Sequence, residues 1–326
     1  MRDSLYHPVK VGNVTIPGNL FLAPLAGFTD KAFRSICLAR GASFTYSEMV
    51  SAEALARNSE KTRLLMERAD NEENLGIQIF LPDEDTARRA LPEILKANPT
   101  VIDINCGCPV PKVVKNGAGA ALMRKPEIIG KIVKSLTNET DIPVTVKFRT
   151  GWDLNTINFL EFADYAVRGG ASLLTMHART RSQGYSGEAD WNLLQELKNN
   201  VNVPVIGSGN IFSPQDALKM LKKTGVDGVL FARGALGNPF IFNRTAELLK
   251  TGNLPQVLNL QGKIGTAWEH LLLTAKYKGE ATACREMKKQ LCSYTKGEPG
   301  SAALRNKIVH AESIAEYREI FREYLL

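Results

Sequence analysis

The run Val101-Ile102-Asp103-Ile104-Asn105-Cys106-Gly107-Cys108-Pro109 decides how this chain is read. Its β-branched residues make a short strand, and a polar end then gives way to glycine and proline, so the strand delivers chemistry into a loop. Comparable runs recur at Leu20–Ala23, Phe44–Ser47, Leu75–Phe80, Pro143–Phe148, Ser172–Met176, Val203–Ile206 and Gly228–Ala232. Between them the spacing predicts helices, among them Asp83–Lys96, Pro126–Thr137, Thr156–Arg168, Asp190–Asn199 and Ser213–Lys223. Asp83, Asp190 and Ser213-Pro214 place an oxygen acceptor just before a first turn. Eight strands, each followed by a helix, read as an α/β TIM (β/α)8 barrel. A doubly wound open sheet is the structural alternative, which the eightfold count disfavours. Val9–Gly18, with Gly12-Asn13 at its middle, reads as a hairpin covering one end of the barrel.

After Asn243 strand signals vanish. Ile264/Trp268/Leu271/Leu272/Ala275, Met287/Leu291 and Ile308/Ile314/Tyr317/Phe321/Tyr324 recur at spacings suited to a small all-α helical bundle. The expected division is a barrel over 1–243 and a helical domain over 244–326, with Lys250–Pro255 as a connection and Lys296–Gly300 as a later turn.

The bulk numbers set limits. The 326 residues, 44% hydrophobic and 23% charged, suit a soluble chain with a sizeable core. No apolar stretch is long enough to cross a bilayer, and Met1–His7 lacks the apolar core of a signal peptide, so cytoplasm is the expectation. Five scattered cysteines without a C-x-x-C pair argue against a disulfide framework and against a thiolate metal site. Net charge is +7, and residues 244–326 hold 13 Lys/Arg against 9 Asp/Glu, a balance that permits a polyanionic partner.

Barrel enzymes work at the carboxyl ends of their strands. Here those ends carry Ala23–Gly27, Ser47-Glu48, Gln78, Asn105–Cys108, Lys147 with Arg149, His177 with Arg179, Gly207–Asn210 and Ala232–Gly234. Glycine-rich backbone after the seventh and eighth strands, with Arg233 beside it, is suited to a phosphate. Alternation with Val144, Val146 and Phe148 sends Lys147 inward, where a cation needs an anionic or electron-rich partner such as a reduced flavin; a lysine reaching out from the strand end is the plainer reading. A single cysteine is usually a packing residue, and Cys37, Cys106 and Cys284 are read so. The strand-end position of Cys108, before Gly117-Ala118-Gly119-Ala120, favours function, with that glycine-rich stretch read as a mobile lid.

These stretches, together with Val146-Lys147-Phe148-Arg149-Thr150-Gly151-Trp152, His177-Ala178-Arg179-Thr180-Arg181 and Ala232-Arg233-Gly234-Ala235-Leu236-Gly237-Asn238-Pro239, resemble the tRNA-dihydrouridine synthases over essentially the whole chain, most closely the bacterial B-type branch. The resemblance implies an FMN-bearing barrel with a helical tRNA-binding tail that reduces the C5–C6 bond of selected uridines, drawing on NADPH or NADH. It implies that Pro24, Leu25 and Ala26 back the flavin, that Gln78 and Lys147 meet its polar edge, and that His177 contacts it. Ser208, Gly209, Asn210, Ala232 and Arg233 would hold the phosphate. Cys108 would protonate carbon 5, while Asn105, Arg149, Arg179 and Arg181 would engage the flipped nucleotide. Two departures stand out: Ser208-Gly209-Asn210 where the family often has Asn-Gly-Asp or Asn-Gly-Asn, and Leu25 where methionine is frequent.

Three rival readings are an FMN barrel acting on a free pyrimidine, of the dihydroorotate dehydrogenase kind, an RNA-binding protein on a retired barrel, and a flavin-free phosphate-sugar enzyme. Ribosomal RNA is an alternative target. No metal, membrane or protein partner is implied, and a monomer is expected.

Overall fold

A computed structural model describes residues 4–325, so the reading of Met1–Asp3 lies outside the described residues. Eight parallel strands close into a ring: Leu20–Leu22, Phe44–Tyr46, Leu75–Phe80, Val101–Cys106, Val144–Arg149, Leu173–His177, Val205–Ser208 and Gly228–Phe231, the last pairing with the first. A two-residue strand, Val50–Ser51, lies against the top of the third.

The helices begin where the sequence offers caps. The Asp83 side chain accepts from Thr86 N, Asp190 accepts from Asn192 N, and Ser213 with Asp216 forms a reciprocal capping box. The fifth-strand helix starts at Phe159, three residues later than periodicity suggests, because Thr156 is held in a turn by Asp153.

Strand alternation divides the barrel in two. Val144, Val146 and Phe148 point outward into the helices, whereas Thr145, Lys147 and Arg149 point inward. The lowest interior layer is apolar, with Phe21, Phe44, Val101, Leu173, Ile206 and Leu230 packed on Val9, Val11 and Ile16 of the antiparallel hairpin Val9–Val11/Val14–Ile16. Gly12 turns that hairpin at φ +59 and sits against Pro143 and Ser172, so the hairpin plugs the amino-terminal mouth as expected. Polar side chains occupy the layers above, and they lead to the opposite mouth.

The helix Ile241–Thr251 crosses position 243/244 and gives Ile241, Phe242 and Leu249 to the barrel core. A second core begins with Leu260–Lys278 and runs through Glu280–Tyr294, Ser301–His310 and Ile314–Leu325. The change from one core to the other thus falls within residues 252–259. The bundle is tied to the first barrel helix: His270 stacks on Phe33 at 5.3 Å, Arg40 pairs with Glu269, and Lys278 pairs with Asp30. Among the described residues no helix is long and apolar enough to cross a membrane.

Candidate active site

A cavity of about 530 Å3 opens at the carboxyl ends of the strands, where a barrel's loops converge. Pro24, Leu25 and Ala26 form one wall, on a tight turn held by Thr29 Oγ1, which accepts from Leu25 N at 2.8 Å. Asn105, Cys108, Lys147, Arg149 and His177 form another, and Ser208–Asn210 with Ala232 and Arg233 complete it. Strand register sets this order: Asn105 lies beside Lys147, Arg149 beside His177, and His177 beside Ser208.

Cys108 is held by its surroundings. Asn105 Oδ1 accepts from Gly107 N at 3.1 Å and Cys108 N at 2.9 Å, while its Nδ2 donates to Gln78 Oε1 at 2.8 Å. Ala120 N donates to the Cys108 carbonyl at 3.0 Å. The stretch read as a mobile lid is therefore something else. Ala118, Gly119 and Ala120 are buried, Gly119–Arg124 is a 3-10 helix, and a Cβ on Gly119 would stand 2.9 Å from the Cys108 carbonyl oxygen. Glycine is there to let this buttress approach. Burial pushes the Cys108 thiol above its ordinary value, against the pull of Arg149 and Lys147, so it keeps its proton at neutral pH. Cys106 is fully buried in the barrel core, as expected of a packing residue.

Lys147 reaches the cavity from within. Among the described residues it makes no ion pair and no hydrogen bond. Burial, then Arg149, lowers it to about 8, while Asp103 opposes the shift. Asp103 is itself raised to about 6 by burial, and it accepts from Gln78 Nε2 and Thr145 Oγ1, both at 2.6 Å. A mostly protonated ammonium thus faces the cavity with its countercharge one layer below. Gln78, expected at the flavin, does not reach the cavity wall; it is fully buried between Asp103 and Asn105 and supports both.

His177 Nε2 lies 3.3 Å from Arg179 Nη1. A guanidinium only donates, so Nε2 accepts and the ring proton sits on Nδ1. Burial and the four cations Arg149, Lys147, Arg179 and Arg233 hold this imidazole neutral, well below its ordinary value.

The seventh and eighth strand ends carry the features of an anion cradle. Gly209 (φ +120) and Asn210 (φ +57) both take positive φ, and a Cβ on Gly209 would come within 2.8 Å of Ala189. The N–H groups of Gly209, Asn210, Arg233 and Gly234 find no backbone acceptor among the described residues. Arg233 lies over Tyr185 at 4.5 Å and Phe212 at 5.3 Å and makes no ion pair among those residues. The Asn210 side chain is committed to Arg179 and Glu188, which leaves its backbone N–H for a ligand, and Ser208, the departure from the family's loop, donates its hydroxyl to the Leu230 carbonyl at 3.4 Å.

The three arginines expected at the substrate have different fates. Arg149 lines the cavity but spends donors on the carbonyls of Gly107 (2.7 Å), Thr180 (2.9 Å) and Gly184 (3.0 Å). Arg179 lies outside the cavity wall and pins the loop after the sixth strand through Ser186 and Gly187 carbonyls. Arg181 is also outside, stacked 4.6 Å from the Trp152 ring. Sequence reasoning missed the rim aromatics Tyr185 and Phe212, and it missed Lys289 and Ser293 of the bundle, which complete the cavity. Only the strand-adjacent position of Phe212 offered a signal.

Fold and site together define a TIM-barrel enzyme with an anion cradle on one side of its mouth and a thiol on the other. The dihydrouridine synthase family pattern matches residues 21–325, and the chain belongs to that family. It is 44% identical over 332 residues to a probable tRNA-dihydrouridine synthase of Treponema pallidum, covering 99% of this chain and 97% of that one. It is 34% identical to tRNA-dihydrouridine synthase B of Pseudomonas aeruginosa, covering 97% and 96%. Among solved structures, a 2-naphthoyl-CoA reductase complex matches at TM-score 0.61 and 12% identity, covering 76% of this chain and 52% of that one. An old yellow enzyme homologue from Zymomonas mobilis matches at TM-score 0.52 and 13% identity, covering 78% and 95%. At such identities the likeness is one of fold.

Proposed function

We propose that the protein is an FMN-dependent tRNA-dihydrouridine synthase, reducing the C5–C6 bond of selected uridines in tRNA with NADPH as the electron source. The observation that carries this reading is a protonated Cys108 thiol and a Lys147 cation, the latter without an ion pair or hydrogen bond among the described residues, lining one cavity. The residues fit the cofactor. The Gly209–Asn210 and Arg233–Gly234 N–H groups, with Arg233, suit a phosphate dianion. The Pro24–Ala26 wall suits a flat ring, and Lys147 suits the negative charge of a reduced flavin.

When bound and reduced, the flavin supplies the hydride that carbon 6 of the uracil takes up. The chain's own part is to hold the base and deliver the proton. Asn105 and Ala120 fix the backbone of Cys108 from two sides, so the thiol meets carbon 5 from a preset position. Lys147 and Arg149 beside it stabilise the thiolate left behind. The uridine must leave its stack to enter. The helical bundle from Leu260 onward serves as the tRNA-binding part, and its Lys289 and Ser293 lie at the cavity edge.

The test is reconstitution. Protein incubated with FMN should turn yellow, bleach with NADPH, and add two hydrogens to specific uridines of unmodified tRNA by mass spectrometry. A protein that takes up no FMN would refute the reading. Turnover of free uracil or orotate as fast as tRNA would favour the free-pyrimidine alternative.

A further inference from the structure

Trp152, on the loop after the fifth barrel strand, has Arg124 and Arg181 each 4.6 Å from its ring centroid. The two guanidiniums come from the loops after the fourth and sixth strands, and neither pairs with a carboxylate among the described residues. Arg181 Nε is buried and has no acceptor. Stacking on an indole uses the faces of these groups and leaves their donor edges and both charges unspent.

The arrangement is rigid. Asn158 Nδ2 donates to the Met123 carbonyl at 2.7 Å, next to Arg124, and Asn158 N donates to Thr150 O at 3.1 Å. Arg181 N donates to Gly151 O, and Ser182 N to Trp152 O, both at 2.9 Å. Three rim loops are thus stitched together around one indole. The same loops hold the catalytic thiol, since Ala120 of the Arg124 turn bonds Cys108, and Arg149 bridges Gly107 to Thr180.

We propose that Arg124, Trp152 and Arg181 form a preorganised clamp for RNA backbone phosphates next to the target uridine. The inference rests on the tRNA reading above and assigns part of the RNA grip to the barrel rim rather than to the helical tail. Two fixed, uncompensated guanidinium edges match phosphodiester oxygens, which accept in pairs. The clamp sets where the strand crosses the rim, so it positions the base without touching it. A phosphate of NADPH has the same chemistry, and the experiment separates the two sources.

The test measures binding of unmodified tRNA by Arg124→Ala, Arg181→Ala and Trp152→Ala across a salt series. Each arginine variant should raise Kd roughly tenfold at about 0.15 M salt and lower the log–log salt slope by about one. Trp152→Ala should approach the effect of both, and Trp152→Phe should restore much of it. Arg124 is exposed, so its variant keeps the test valid should Trp152→Ala fail to fold. Wild-type Kd and slope in both arginine variants would overturn the clamp. So would a defect confined to flavin reduction by NADPH, which would assign the cations to the dinucleotide. If the wild-type protein forms dihydrouridine while the variants bind normally, only the clamp falls; if the wild type forms none, the functional reading itself falls.

Discussion

Asn105→Ala removes the residue that connects the barrel interior to the Cys108 loop. Three hydrogen bonds go: those from Gly107 N and Cys108 N, and the one to Gln78 Oε1. The two loop N–H groups are worth about 1 kcal/mol each, and the stranded, fully buried Gln78 acceptor costs at least as much again. A stability loss of about 3 kcal/mol follows. The effect on chemistry is larger than on binding, because the thiol loses its preset position, and a misplacement of about 1 Å costs on the order of 100-fold in rate. The assay is single turnover: pre-reduced, FMN-loaded enzyme is mixed with unmodified tRNA, and flavin reoxidation is followed. The expected result is a limiting reoxidation rate about 100-fold lower, with the half-saturating tRNA concentration (the apparent KM) little changed. Asn105→Asp, which keeps an acceptor for both loop N–H groups, should recover much of the rate. A wild-type rate in the alanine variant, or a defect confined to KM, would refute the positioning argument.

Two further outcomes rest on buried titratable groups. His270, wedged between Phe33 and Tyr294, is held neutral and lowered to about 4 by burial, with Asp30 opposing and Lys278 adding to the shift. The unfolded chain takes up the proton near pH 6.5 and the folded one only near 4, so stability is full above 6.5 and falls with acid. About 3 kcal/mol should be lost between those values in denaturant melts, and His270→Gln should flatten that slope. Lys147, lowered to about 8, should lose its cation as pH rises past that value. The Kd of reduced FMN, measured anaerobically, should then climb by up to about tenfold per pH unit, and Lys147→Met should remove the climb. A reduced-FMN Kd that stays flat in the wild type from about pH 7 to about 9.5 would contradict the role given to Lys147.

Much of the fold was legible because it follows from local rules. Strand alternation sent Lys147 inward, and Asp83, Asp190 and Ser213 capped where their oxygens indicated. The site was legible where chemistry sits directly on a strand end, as with Asn105, His177 and Ser208. It was not legible one layer away. Nothing local says that Gln78 stops beneath Asn105, or that Arg179 spends its donors on carbonyls seven and eight residues downstream. Glycines at 117 and 119 look like a hinge in sequence, yet Gly119 serves a close backbone approach, which only the packing around Cys108 reveals. Lys289 reaches the cavity from the far end of the chain, so its place depends on how the bundle docks.

Cys108 is proposed to give the proton to carbon 5, and Cys108→Ala removes that proton while leaving the flavin site intact. Loaded with FMN, the variant should bleach with NADPH at the wild-type rate yet convert almost none of the target uridine when mixed with tRNA. Full dihydrouridine formation by that variant would show that another group supplies the proton.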